Sequence, residues 1–284
     1  MRFTLGLMFI VVSLLGTAPV AAQQVEDYVE ITMNDGSVFV GHVISETDTE
    51  VIFKTGAGLE LIIQVSDIRS RKVIRGRAGA RGIVKLDPTS SRLFFTASAR
   101  PVEVGRAYIS SYEVFFTFFS AGVTDNLTLA GGVSLFPFSS EQLFYVAPKY
   151  TLYNKNDRSF AVGLLAGGLL GEKEMGGLLY GVTTIGPPDQ ALTAGAGFLF
   201  GGGEISSTPI VMIGGEKQIS SRLKLISENY ILPVGSTEVV LSGGIRIIGG
   251  SLTTDLAFVT VVSILDEGGF PFIPWLSFTY NFGF

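Results

Sequence analysis

The chain has 284 residues, 47% of them hydrophobic and only 16% charged, with 20 basic and 25 acidic side chains and a net charge of −5; its mean hydropathy is +0.45. Soluble domains usually run near ~25% charged, so this chain is greasy and weakly acidic, a poor match to the phosphate backbone of nucleic acid. It has no cysteine and one histidine, His42, which excludes disulfides, thiolate metal sites and a lipid anchor on an N-terminal cysteine.

At the N-terminus, Arg2 precedes the apolar run "LGLMFIVVSLL" (5–15), then Gly16, Pro19 and the small residues of "VAAQQ". A helix needs about 20 apolar residues to span a bilayer. A basic start, a short apolar middle and small residues at Val20 and Ala22 read as an export signal, 1–22, cut before Gln23.

Residues 23–68 carry nine acidic residues against Lys54 alone, a net of −8. Their alternating runs are broken at "NDGS", "ETDTE" and "TGAG", and Asp35-Gly36 is a strong hairpin signal. Four or five short strands are expected, and "DGSVFVGHV" resembles the start of SH3-like or Sm-like modules. Some relatives of that fold bind RNA, but export and a net of −8 oppose that here and point to a periplasmic protein-interaction or stabilising role. Glu46, Asp48 and Glu50 lack the glycine and terminal glutamate of a calcium loop and read as a solvated turn.

Residues 69–87 reverse the sign. Arg69, Arg71, Lys72, Arg75, Arg77, Arg81 and Lys85 stand against Asp87, a net of +6. A composition shift of this kind marks a boundary, so 69–90 reads as a basic linker. It either contacts phospholipid headgroups or is a solvated linker paired in part with the acidic module. Insertion of "RGRAGARG" into a barrel lumen is a third reading.

From residue 91 the chain divides into segments of about ten residues, the length of a tilted membrane strand. Twelve are expected: 92–99, 107–119, 127–136, 142–152, 159–169, 175–185, 190–200, 208–218, 222–231, 238–248, 252–263 and 273–284, with ten as the alternative count. Compact polar turns, "GVTDN", "NKNDR", "GPPDQ", "SSR" and "GGS", follow every second segment. They fit the short periplasmic turns of a membrane barrel. In such a barrel the apolar face meets lipid and the polar face lines the lumen. On that rule 238–248 sends Ser242 and Arg246 inward, and 252–263 sends Asp255 inward against Leu252, Leu256 and Phe258. It places Tyr108, Tyr112, Val114, Phe116 and Phe118 outward, with Glu113 and Phe115 inward.

The chain closes on "IPWLSFTYNFGF", in which Leu276, Phe278, Tyr280, Phe282 and Phe284 take every second place. This terminal aromatic pattern resembles the C-terminal strand signal of Gram-negative outer-membrane β-barrels. The resemblance covers 91–284 by pattern and the last ten residues by motif. It implies an antiparallel transmembrane barrel in the outer membrane, porin-like in architecture. Phe284, Phe282, Tyr280 and Phe278 would be read by the barrel assembly machinery, and the N-terminal module would lie in the periplasm. The competing fold is a secreted soluble β-sandwich, such as an adhesin, with the aromatic face as its core.

No catalytic constellation is visible. The barrel region has no histidine, which disfavours hydrolysis by a histidine general base; "GAGFLFGGG" lacks the strand–turn–helix setting of a phosphate loop. The expectation is a non-enzyme without metal or cofactor. The positive chemistry is a set of lumen charges: Arg92, Glu113, Lys149, Glu216, Lys224, Glu228, Arg246 and Asp255. Four of each sign point to an internal ion-pair network, with Glu228 and Arg246 as one expected pair, in a scaffolding barrel with a filled lumen. The alternative is a narrow channel for small solutes.

Overall fold

The computed structural model describes residues 26–79, 82–137, 139, 141–234, 236–265 and 270–283. The expected signal segment and Phe284 lie outside them. Apart from two short 3₁₀ turns, every regular element among the described residues is a strand.

The N-terminal sheet comprises β1 (Glu26–Met33), β2 (Val38–Glu46), β3 (Glu50–Thr55), β4 (Glu60–Gln64), β5 (Ile68–Gly79) and β6 (Gly82–Lys85). It is six-stranded, in the order β4-β3-β2-β1-β5-β6. The first hairpin turns where Asp35-Gly36 predicts: Gly36 takes φ 88°, which a side chain would oppose, and Asp35 accepts the Ser37 N–H at 2.8 Å. One face is the core. Ile31, Val51 and Phe53 are fully buried there, with Ile63 beside them.

The basic segment is a strand and not a linker. Residues 69–79 all lie in β5, antiparallel to β1, with Lys72 opposite Glu30 and Arg75 opposite Asp27. Opposite charges across a ladder stabilise a pair, so the change of charge sign marks two partner strands of one sheet. Arg71 also reaches Glu46 at 2.6 Å, and Arg75 pairs with Asp27 and Glu103. Carboxylates thus hold two of the seven basic residues, Arg71 and Arg75. The Arg77 side chain and all of Arg81 lie outside the described set.

The second sheet is a closed antiparallel barrel of twelve strands. These are β7 (Ala107–Tyr112), β8 (Phe116–Gly122), β9 (Leu127–Ser134), β10 (Leu143–Lys155), β11 (Arg158–Leu169), β12 (Met175–Ile185), β13 (Gln190–Gly201), β15 (Ile210–Ser220), β16 (Leu223–Val234), β17 (Ser236–Ile248), β18 (Leu252–Val261) and β19 (Ile273–Phe282). The two-residue β14 (Glu204–Ile205) pairs only with the end of β13. The last strand meets the first, with Thr279 opposite Ser110, so the barrel has no open edge. Closure pairs the backbone of every spanning strand, the condition for crossing lipid.

The count of twelve agrees with the sequence, but two errors offset each other. Segment 92–99 is not a barrel strand. Segment 107–119 is two strands, reversing at 113–115, where Glu113 and Val114 take φ 48° and 66°. "SSYEVFF" has no Gly, Pro or Asn to announce that turn. It is held instead by Glu113, whose N–H donates to Leu276 O (2.9 Å) and whose Oε1 accepts from Leu276 N–H (2.6 Å). Because one strand is lost and one gained, the compact polar turns still lie at one end of the barrel with both of its termini. That is the turn end; the other is the loop end.

Side chains alternate as a lipid-facing sheet requires. On β19, Phe278, Tyr280 and Phe282 are exposed while Ser277, Thr279 and Asn281 are buried; on β18, Leu252, Leu256 and Phe258 are exposed while Thr253 and Asp255 are buried. A soluble sandwich would bury the aromatic face, and here it points outward. The rule fails on β7 and β8. Tyr108, Tyr112 and Phe118, expected outside, are buried, whereas Phe115 is exposed in the turn. The lumen is itself aromatic there, so polarity carries no information about facing.

Candidate functional site: the barrel interior

Between β6 and β7 the chain enters the barrel. Asp87, Thr89, Ser91, Arg92, Leu93, Phe94, Ser98, Ala99, Arg100 and Val102 are all buried. The segment folds back on itself: Arg92 bridges to Ala97, Ser98 N–H donates to Ser91 O (2.9 Å), and Leu93 N–H to Thr96 O (2.9 Å). Leu86–Arg106 is thus a connector whose middle is an internal plug. The wall makes room for it at Gly214 on β15, where a Cβ would stand 2.4 Å from Leu93 Cδ1.

The lumen charges converge on this plug. Arg246 on β17 donates from Nε to Asp255 (2.6 Å) and from Nη1 to Asp87 (2.9 Å), and its Nη2 reaches Leu93 O at 2.5 Å. Lys224 on β16 lies 2.8 Å from Asp87 and 2.7 Å from Glu216. Arg100 of the plug donates to the same Glu216 at 2.5 Å. Arg92 donates to Asp255 (2.9 Å) and Thr279 (2.7 Å). Burial alone would push the Asp87 carboxyl up; Lys224 and Arg246 outweigh it and hold the group well below the usual carboxylate range.

Backbone groups of the plug are satisfied by wall side chains. Glu228 accepts the N–H groups of Phe94 (2.7 Å), Phe95 (3.1 Å) and Thr96 (3.0 Å). Lys149 donates to Ser98 O and Arg100 O, each at 2.6 Å. Thr151 donates to Ala99 O at 3.0 Å, Thr184 accepts from Ala99 N–H at 3.0 Å, and Thr128 accepts from Val102 N–H at 2.9 Å. A buried irregular loop is otherwise unfavourable, since each unpaired N–H or C=O costs about 1–3 kcal/mol. The wall polar groups replace the ladder this segment lacks.

Of the eight charges expected in the lumen, seven lie together inside the barrel. Arg92 is on the plug, not on a strand. Glu113 is not in the lumen: it braces the β7–β8 turn. Glu228 and Arg246 do not form the expected pair, because the register sets Lys224 opposite Arg246 and the plug backbone takes Glu228. Asp87 and Arg100, which lie outside any strand, are not among the charges expected in the lumen; the one sequence clue is that Arg92 and Arg100 flank the apolar run "LFFTASA".

Two cavities flank the plug. At the turn end a space of about 770 Å³ lies between the small sheet and the barrel mouth, bordered by Arg75, Asp87, Arg100, Asn156 and Ser251. The sheet is tied there by Gln218, which donates to Lys85 O at 2.8 Å. Toward the loop end a cavity of about 140 Å³ is walled by Tyr108, Tyr112, Phe118, Tyr145, Tyr180 and Met212, with Arg92 and Lys149 also lining it. Gly163 on β11 clears the space that the Tyr180 ring occupies, 2.4 Å from where a Cβ would stand.

No family model and no curated protein matches this chain. Among solved structures it is similar to a KdgM porin in complex with disordered oligogalacturonate, at 8% identity and TM-score 0.44, over 62% of this chain and 95% of that one. It is also similar to a loop L8 deletion mutant of OmpT, an outer membrane protein of Vibrio cholerae, at 9% identity and TM-score 0.35, over 92% of this chain and 100% of that one. The barrel assignment itself rests on the closed strand pairing.

Proposed function

We propose that this is an outer-membrane barrel whose lumen is closed by its own plug and whose role is structural. The small sheet, read from its sequence as SH3-like, would lie in the periplasm and present a surface to a protein partner. One observation carries this reading. The buried ionic groups of the interior hold the plug or one another, as Arg246 holds Asp87 and Glu228 holds the N–H groups of Phe94–Thr96. Barrels of twelve strands fall between small filled barrels and wide aqueous ones, and here the chain supplies its own filling. The short turns and both barrel termini share one end, which fits the periplasmic side. The reading assigns the barrel no catalysis; hydrolysis of lipid or peptide by purified protein, lost in Glu228→Gln, would overturn that part.

A liposome-swelling assay tests the closed lumen. Proteoliposomes are expected to exclude small sugars as well as protein-free liposomes do, and rapid swelling would contradict the proposal. The second reading is a narrow channel for small solutes. It is favoured by the two cavities, which reach the plug from opposite sides and share Ser91 in their linings.

A further inference from the structure

The loop-end cavity is not explained by a structural role. A scaffold interior is expected to be packed, because an empty apolar space loses contacts from every atom of its lining. This one is held open between rings: Tyr112 lies 4.8 Å from Phe118 and 5.1 Å from Trp275, and Phe118 lies 6.3 Å from Tyr145, all tilted. Small residues also line it, including Ala130 and Ala147, which face each other across the β9–β10 pair. Larger side chains there would have filled the space.

Its polar side is unusual. Arg92 lines the cavity and is buried, and its Nε–H has no hydrogen-bond partner. A buried donor left unpaired is costly. Lys149 also lines the cavity, and its ammonium is met by backbone carbonyls without any carboxylate. Among the described residues the buried basic side chains are Arg92, Arg100, Lys149, Lys224 and Arg246, and the buried carboxylates are Asp87, Glu216, Glu228 and Asp255. The unpartnered Arg92 Nε–H is thus the group on the loop side of the plug that an added acceptor would satisfy.

We propose that this cavity is a binding site for a small monocyclic aromatic carboxylate. Its ring would stack among Tyr108, Tyr112, Phe118 and Tyr145, and its carboxylate would accept the Arg92 Nε–H beside Lys149. Size agrees: the cavity is about 140 Å³, and an apolar cavity of ~150 Å³ elsewhere takes up benzene. Aromatic walls favour offset or edge-to-face rings. The proposal does not depend on whether the barrel conducts.

The test uses the full mature chain folded in detergent, with benzoate as the probe and calorimetry as the readout. Trp275, the sole tryptophan, stacks on Tyr112 and provides a second signal in its emission. Saturable benzoate binding is expected, weakened by at least about tenfold (~1.4 kcal/mol) for benzyl alcohol, which has the ring without the charge. Ala147→Phe, which fills the cavity, is expected to abolish binding. Ala130→Leu serves the same purpose if that variant does not fold, folding being judged by heat-modifiable gel mobility. No saturable binding, equal affinity for benzyl alcohol, or unchanged binding in a folded cavity-filled variant would each overturn the proposal.

Discussion

Arg246 on β17 and Asp87 of the plug, 159 residues apart in sequence, meet with 2.9 Å between Nη1 and Oδ2, and both side chains are fully buried. This contact ties the connector to the barrel wall. Removing one partner of a buried pair leaves the other uncompensated, a loss of about 3–5 kcal/mol. Arg246→Ala is therefore expected to lower the unfolding temperature in detergent markedly. Arg71→Ala breaks the Glu46 contact, whose side chains are 30% and 45% exposed, and should cost no more than about 1 kcal/mol. Equal effects of the two substitutions on thermal melts would contradict this ranking.

The pH dependence has a defined sign. Asp87 titrates lower in the folded state than in the unfolded one, so its contribution is full above the unfolded value of about 3.9. It is lost as pH falls from there toward the depressed folded value. Melting temperature in detergent should thus change little through Asp87 between neutrality and about pH 5. Below roughly pH 4 wild type should lose stability more steeply than Asp87→Asn. Parallel acid profiles for the two proteins would count against the assignment.

Gly214 and Glu228 test how the plug is held, although a Cβ at 214 would also stand 2.7 Å from Ser227 O of β16. Gly214→Val places atoms where Leu93 packs, and Glu228→Gln removes the charge that gathers three plug N–H groups. Glu228→Gln should keep the heat-modifiable gel mobility of a folded barrel, and Gly214→Val is compared with it only where it keeps that mobility too. Amide exchange at Phe94–Thr96 should become faster by at least about tenfold, the equivalent of ~1.4 kcal/mol of local opening. Unchanged exchange in both would show that the plug is held by something else.

Leu256 on β18 is exposed on the outer face beside buried Asp255. A positive charge there faces lipid, and at the midplane that costs about 2–4 kcal/mol. Leu256→Arg is expected to reduce folding yield into liposomes, whereas Thr253→Ser, on the lumen face, is expected to fold as wild type. Normal insertion of Leu256→Arg would argue that this face does not meet lipid.

The sequence disclosed the barrel wherever apolar residues faced out and polar residues faced in. In β17 to β19, Asp255, Ser277 and Thr279 alternate with Leu256, Phe278 and Tyr280, and the facing could be read directly. It failed at Tyr108, Tyr112 and Phe118, because aromatic residues occupy both faces and a turn without Gly or Pro shifts the parity at Glu113. Lumen charges such as Lys149, Glu216 and Lys224 were recognisable as isolated charges in greasy strands. Their partners were not, because Asp87 and Arg100 come from a segment whose "LFFTASA" has the composition of a strand. The basic stretch at Arg71–Arg75 misled for a related reason: a change in charge sign looks the same at a domain boundary and between two partner strands. Phe284 lies outside the described residues, while Phe278, Tyr280 and Phe282 stand on the outer face of β19.

The central claim is that the chain closes its own lumen, and conductance across a planar bilayer tests it most directly. Wild type should show almost no steady current. A variant in which residues 90–99 are replaced by a short glycine–serine linker should, if it folds, open discrete conducting steps. A large, steady conductance in wild type that this replacement leaves unchanged would contradict the account.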